Sequence, residues 1–278
     1  MKNPRLEEKI WKSVMWLVAS LTVAILAIII IYVISQGIGT ISLEFLTENP
    51  SRMGKEGGIF PIIVGTFYLV AASLLLAGPI GVGAAIFLTE YVRQNRWVSL
   101  IRFSTEALAG IPSIIFGLFG FVFFVIQLEL GWSIISGALT LALMVLPTIV
   151  RTSEEAIKAV PFTYREGSYA LGASRWQTIR RVVLPSAIPG IMVGIILSIG
   201  RAVGETAAVY LTAGSSLHLP TSLGDPARTL SVHLYTLASE GISMPRAYGT
   251  ATILVIAIVV INFFANLVMK RVANRLTT

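Results

Sequence analysis

Apolar residues run along this chain in six long blocks, at roughly 11–35, 59–90, 105–128, 132–150, 188–212 and 248–269. Each is long enough to carry a helix across a bilayer core about 30 Å thick. Inside lipid every backbone polar group must be satisfied within the segment, so the blocks predict an all-α membrane protein with six transmembrane helices. Two blocks carry helix-breaking residues. "AGPIGVGAA" around Pro79 predicts a kinked or broken second helix ending at Glu90, and "EALAGIPSIIFGLFG" with Pro112 predicts irregular backbone at the start of the third. Such breaks mark either ordinary kinks at helix contacts or a pathway through the protein.

The polar stretches between blocks are also informative. Segments of about 37–58 and 214–246 are long enough for surface structure, and the longest, 151–187, lies between the fourth and fifth blocks. Ser153 followed by Glu154 and Glu155 reads as a helix start, with acids near the positive end of the helix dipole. After Pro161 the pattern predicts a helix, a turn at Gly172 and a second helix, with Pro185 and Pro189 marking the start of span five. This segment is either a rigid helix–turn–helix knob or an amphipathic loop lying on the membrane.

The fifth block poses the sharpest question, because "IILSIGRAVGETAAVYLTAG" holds Arg201 and Glu205 in an otherwise oily run. Each charge at mid-bilayer costs about 2.5–3.5 kcal/mol on insertion scales. On one continuous helix, Gly190, Gly194, Ser198, Arg201, Glu205, Ala208 and Thr212 share a narrow face, opposite Met192, Ile195, Ile196, Ile199 and Val203. Small residues on that face admit a close neighbouring helix, and Arg201 and Glu205, four apart, are placed to pair. The bland reading is a structural ion pair. The sharper one is a gate, in which the permanently charged, planar guanidinium meets an oxyanion and the glutamate tempers its pull.

Composition agrees with the pattern: 55% of the 278 residues are hydrophobic and 13% charged, against about 25% charged in soluble domains. There is no cysteine, hence no disulfide and no thiolate metal site. The first apolar run is too long for a signal-peptide core and is expected to be retained as a span. The net charge of +7 is unevenly spread. With the N-terminus in the cytoplasm, basic residues gather inside, at Lys2–Lys12, Arg93–Arg102, the 151–187 loop and Lys270–Arg275. Only Arg52, Lys55, Arg228 and Arg246 fall outside. That is the positive-inside distribution, so the charge reports topology and not nucleic-acid binding. His218 and His233, both in the outer 214–246 segment, are expected as solvated loop residues. No H-E-x-x-H motif and no G-x-x-x-x-G-K-[ST] loop is present. An intramembrane enzyme is therefore disfavoured, no cofactor is implied, and a transporter of this kind must take its energy from a partner.

The 151–187 loop resembles the EAA loop of ABC-importer permeases, whose pattern is Glu-Ala-Ala, three residues, Gly, nine residues, Ile, one residue, Leu-Pro. Here Glu166, Gly167 and Ser168 hold the first triplet and Gly172 follows, then Val182 precedes Leu184 and Pro185 at matching spacing. With "EGGIFPIIVGT", "EALAGIPSIIFGLFG", "LPTIVRTSEEAIKAVP", "ALGASRWQTIRRVVLP" and "GRAVGETAAV", the chain from about residue 56 onward is similar to phosphate-specific transport (Pst) permeases, the order favouring the PstA-like subunit. One departure is Ala208, where a proline is expected after "GETA". The resemblance implies a type I ABC-importer permease fold. Residues 1–58 would hold the N-terminal tail, first helix and outer segment, and 59–278 a five-helix core. It implies ATPase coupling through Glu166, Gly167, Ser168, Gly172, Leu184 and Pro185, and a substrate path at Arg201, Glu205, Ser198 and Thr206. The implied partners are two copies of an ATP-binding subunit, a PstC-like second permease and an extracytoplasmic phosphate-binding protein, in the inner membrane with both termini cytoplasmic. Permeation of molybdate, tungstate or sulfate is the alternative.

Overall fold

The computed structural model describes residues 4–92 and 95–277, so Lys2 and Arg93, expected on the inner side, lie outside the described residues. Among the described residues the architecture is helical apart from one hairpin of β1 (Pro50–Ser51) and β2 (Glu56–Gly57) paired antiparallel. The helices are α1 (Pro4–Gly37), α2 (Leu43–Thr47), α3 (Phe60–Ile86), α4 (Arg96–Ala109), α5 (Ser113–Gly120) and α6 (Ile134–Lys158). They continue with α7 (Phe162–Ala170), α8 (Arg175–Thr178), α9 (Leu184–Gly204), α10 (Ala207–Thr212), α11 (Leu230–Ser239) and α12 (Met244–Thr277). Among the described residues five helical segments are long and apolar enough to cross a membrane, and a sixth forms if α4 and α5 with its extension count as one span bent by 100°.

The core lies where α3, α6 and α9 meet, with Leu69 and Ala77, Leu141 and Ile149, and Ala202 and Val203 buried against one another. In lipid no hydrophobic force drives helices together, so close packing must do it, and small residues permit it. The stripe read on span five does this work. A Cβ on Gly194 would stand 1.8 Å from the Thr152 hydroxyl, and one on Gly190 would stand 2.5 Å from the Ala156 methyl. Both glycines are what let α9 lie against α6. By contrast α1 is exposed from Glu8 to Tyr32 and meets α12 near its own end, where Tyr32 and Tyr248 pack edge to face at 6.0 Å.

Several expectations are corrected here. The second span is not broken at Pro79: α3 runs through it and ends in a π-helical turn, Phe87–Tyr91. The irregular backbone expected at the start of the third is present: Gly110–Pro112 turns the chain sharply, with Pro112 at φ −57°, ψ 140°, which a helix cannot hold, so 105–128 is not one helix. Ser153 does not start a helix. It is fully buried inside α6, which carries the fourth span on to Lys158, so 151–187 is only partly a loop. Buried Glu154 is held there by Arg102 at 2.5 Å and Lys158 at 2.7 Å, which offsets the cost of enclosing its charge.

Candidate functional site

The apolar block expected as span five, 188–212, is interrupted near its end. α9 stops at Gly204, Glu205 is extended (φ −70°, ψ 131°), and α10 begins at Ala207. Glycine eases departure from the helix, and neighbouring groups take up the freed backbone. The Glu205 N–H donates to the Ala202 carbonyl at 3.3 Å, and Ser231 Oγ donates to the Glu205 carbonyl at 2.6 Å. The Glu205 carboxylate accepts the Ala208 N–H at 3.1 Å, while Thr206 Oγ1 turns back to the Gly204 carbonyl at 3.4 Å.

This geometry overturns the continuous stripe and the Arg201–Glu205 pair. Residues four apart face each other only on an unbroken helix, and Glu205 spends its carboxylate on the start of α10. Among the described residues no ion pair or hydrogen bond engages the half-buried Arg201 side chain. It sits in the last turn of α9, whose negative dipole end complements its charge by about 0.3–1 kcal/mol. Ser198, expected on the path, is fully enclosed with its hydroxyl on the Gly194 carbonyl at 2.9 Å. Ala208, which stands where a proline is expected, has an N–H that donates to the Glu205 carboxylate, a bond proline could not make.

The elbow forms as the spacing predicts. α7 ends in a Schellman motif: Ala173 N–H reaches the Ser168 carbonyl at 3.2 Å and Gly172 N–H the Tyr169 carbonyl at 2.9 Å, with Gly172 at φ +81°. α8 opens with a reciprocal capping box between Ser174 and Gln177. Ser168 and Thr178 hydroxyls join the two helices at 2.9 Å. Glu166 and Gly167 are exposed, and Leu184 packs beside buried Val183, Ile157 and Ala187, with Pro185 in the first turn of α9. The sequence reading missed the elbow's apolar face. Phe162, Tyr164 and Trp176 are exposed and Leu171 is 90% exposed. It also missed Arg165, buried between the elbow and the bundle.

The two histidines differ. His218 is exposed as expected, but His233 is fully buried on α11, between the spans, with Nδ1 3.3 Å from Arg228 Nη1. Arg228, expected on the outer surface, is buried too, its Nε donating to the Ser215 carbonyl at 3.2 Å. Burial first, then the charges of Arg228 and Arg246, push His233 from 6.5 down to about 3. Below 6.5 the unfolded chain takes up a proton that the folded one refuses, so stability falls as pH drops from 6.5 toward 3. The thermal midpoint of the detergent-purified protein should decline between about pH 7 and pH 5, and decline less in His233→Gln. Equal slopes would mean that His233 does not set this acid sensitivity.

Residues 77–278 match the family described as the binding-protein-dependent transport system inner membrane component. The chain belongs to this permease family. It is 35% identical over 291 residues to the probable ABC transporter permease protein YqgI of Bacillus subtilis, covering 99% of both chains. To the phosphate transport system permease protein PstA of Haemophilus influenzae it is 33% identical over 243 residues, covering 86% of this chain and 85% of that one. The fold is that of type I ABC-importer permeases. A bacterial ABC transporter for the acidic polysaccharide alginate superposes with a TM-score of 0.64 at 19% identity, over 95% of this chain and 99% of that one. As an ABC permease subunit, the chain is a component of a membrane transporter.

Proposed function

We propose that this permease is the PstA-like half of an ATP-driven importer of inorganic phosphate. A PstC-like permease completes the translocation path, two ATP-binding subunits dock on the elbows, and an extracytoplasmic binding protein delivers phosphate. The observation that carries the reading is Arg201, a guanidinium at a helix break in the membrane that no carboxylate neutralises among the described residues. Broken spans place substrate groups at half-helix ends in many transporters, and a planar cation suits a tetrahedral oxyanion. The similarity to the Haemophilus influenzae phosphate permease supports phosphate over other oxyanions. Glu205 and Thr206 shape the break, and Ser198 sets the packing behind it. Both termini face the cytoplasm in this reading, and residues 1–58 form a leading unit ahead of the core.

The test is ATP-dependent uptake of labelled phosphate by vesicles holding the co-expressed subunits, with sulfate, molybdate and tungstate as competitors. Phosphate uptake resistant to these competitors supports the proposal. Uptake of another oxyanion in its place would reassign the substrate, and cysteine labelling of residue 170 from outside would overturn the orientation.

A further inference from the structure

Arg165 is a charged side chain of the elbow that is buried against the bundle, and its contacts join three elements. Its Nη2 donates to Glu90 Oε1 at 2.7 Å and its Nε to the same oxygen at 3.2 Å. Nη1 donates to the Val160 carbonyl at 2.8 Å and Nη2 also to the Ile157 carbonyl at 3.0 Å, where the end of α6 leaves its carbonyls without helical partners. Glu90 belongs to the π-helical turn that ends α3, and both side chains of the pair are buried. The adjacent residue of that turn, Tyr91, receives the Arg175 guanidinium of α8 over its ring at 5.2 Å from the centroid. Both halves of the elbow are therefore fastened to one turn of α3.

Stability alone is a poor reason for such a pair. Enclosing two charges costs several kcal/mol, and apolar residues of similar volume hold a core as well or better (about 1–4 kcal/mol). What the pair supplies is a fixed geometry. A fork with its donors engaged on a carboxylate and two carbonyls has one orientation, whereas apolar contacts slide. A π turn is a local irregularity in a helix, of a kind that concentrates at functional positions.

We propose that Arg165 and Glu90 form the mechanical joint through which displacement of the elbow reaches α3, with Arg175 on Tyr91 keeping the second elbow helix on the same turn. Arg165 is thus a positioning residue. The inference rests on the elbow being the ATPase docking element. A force applied at exposed Glu166 and Leu171 passes inward through α7, and Arg165 delivers it to a helix of the core that the α9 break adjoins.

The chain has no cysteine, so a Thr89→Cys, Tyr169→Cys pair can carry spin labels across the cleft that both residues line. In the complete transporter the label distance should stay the same with and without trapped ATP, as for one rigid body. Glu90→Gln should retain the bound ATPase, broaden the label distance and lower the phosphate moved per ATP hydrolysed well below that of the unaltered complex. Glu90→Asp, which keeps the charge, should lose less. A distance that shifts with nucleotide in the otherwise unaltered complex overturns the joint, as does Glu90→Gln with full uptake per ATP or with an unbroadened distance. Should Glu90→Gln fail to assemble, the nucleotide comparison in the unaltered complex decides alone. Failure of the ATPase to co-purify with the unaltered chain would instead sink the docking reading.

Discussion

Replacing Arg201 with glutamine should cut phosphate uptake by about a hundredfold while the permease still inserts and assembles, the scale of losing one preorganised charged donor. The structure makes the two halves of that expectation separable. Breaking a buried ion pair costs about 3–5 kcal/mol because one charge is left behind, but Arg201 has no such partner among the described residues. Its removal forfeits only the favourable contact with the end of α9, and assembly should survive. Lysine keeps the charge and loses the planar fork, so Arg201→Lys should be partly active. Glu205→Gln should be mild, because the amide oxygen can still accept the Ala208 N–H that the carboxylate now takes. The double variant should then behave like Arg201→Gln alone. The measurement is uptake normalised to assembled complex. Normal uptake by Arg201→Gln, or recovery of uptake in the double variant, would make this arginine a packing device and remove it from the path.

The limits of reading this chain from its sequence lie at places where helical periodicity stops holding. Apolar block length located the spans, because bilayer thickness imposes it, and the elbow was legible since Pro161 and Gly172 are local start and stop signals. The break at Glu205 was not. "GRAVGETAAV" continues an apolar run with no proline, and the turn depends on Ser231 reaching Glu205 from 26 residues away. Pro79 admitted a kink or a break, and α3 runs through it without a break. Ser153 carried a start signal that α6 overrides by running past the membrane boundary as one helix. Arg165 and His233 were hidden for a shared reason. A basic residue in a polar loop looks solvated until the partner that buries it is known, and Glu90 lies 75 residues from Arg165.

The second large effect belongs to Gly172, where Gly172→Val should uncouple the importer without blocking membrane insertion. The residue sits at φ +81°, and a Cβ there would meet nothing within 4 Å. The penalty is therefore one of backbone conformation and not of space, on the order of 1–2 kcal/mol for an L residue in the left-handed region and worst for a β-branched one. That sum is enough to make another turn competitive, and any other turn re-aims α8 and the exposed Leu171 and Trp176 relative to Glu166. Substitutions should rank by tolerance of the left-handed region and not by size. Asparagine, though larger than alanine, should preserve more uptake than alanine, and valine should preserve least. Glu166→Ala offers the contrast: it leaves the Schellman turn intact and should weaken ATPase retention through the lost carboxylate alone. The readouts are the amount of ATP-binding subunit that co-purifies and uptake per assembled complex, across glycine, asparagine, alanine and valine at position 172. A ranking by side-chain volume would show that an unseen neighbour crowds this turn when the transporter is assembled. Equal coupling in all four would show that the angle between α7 and α8 is not what the ATPase reads.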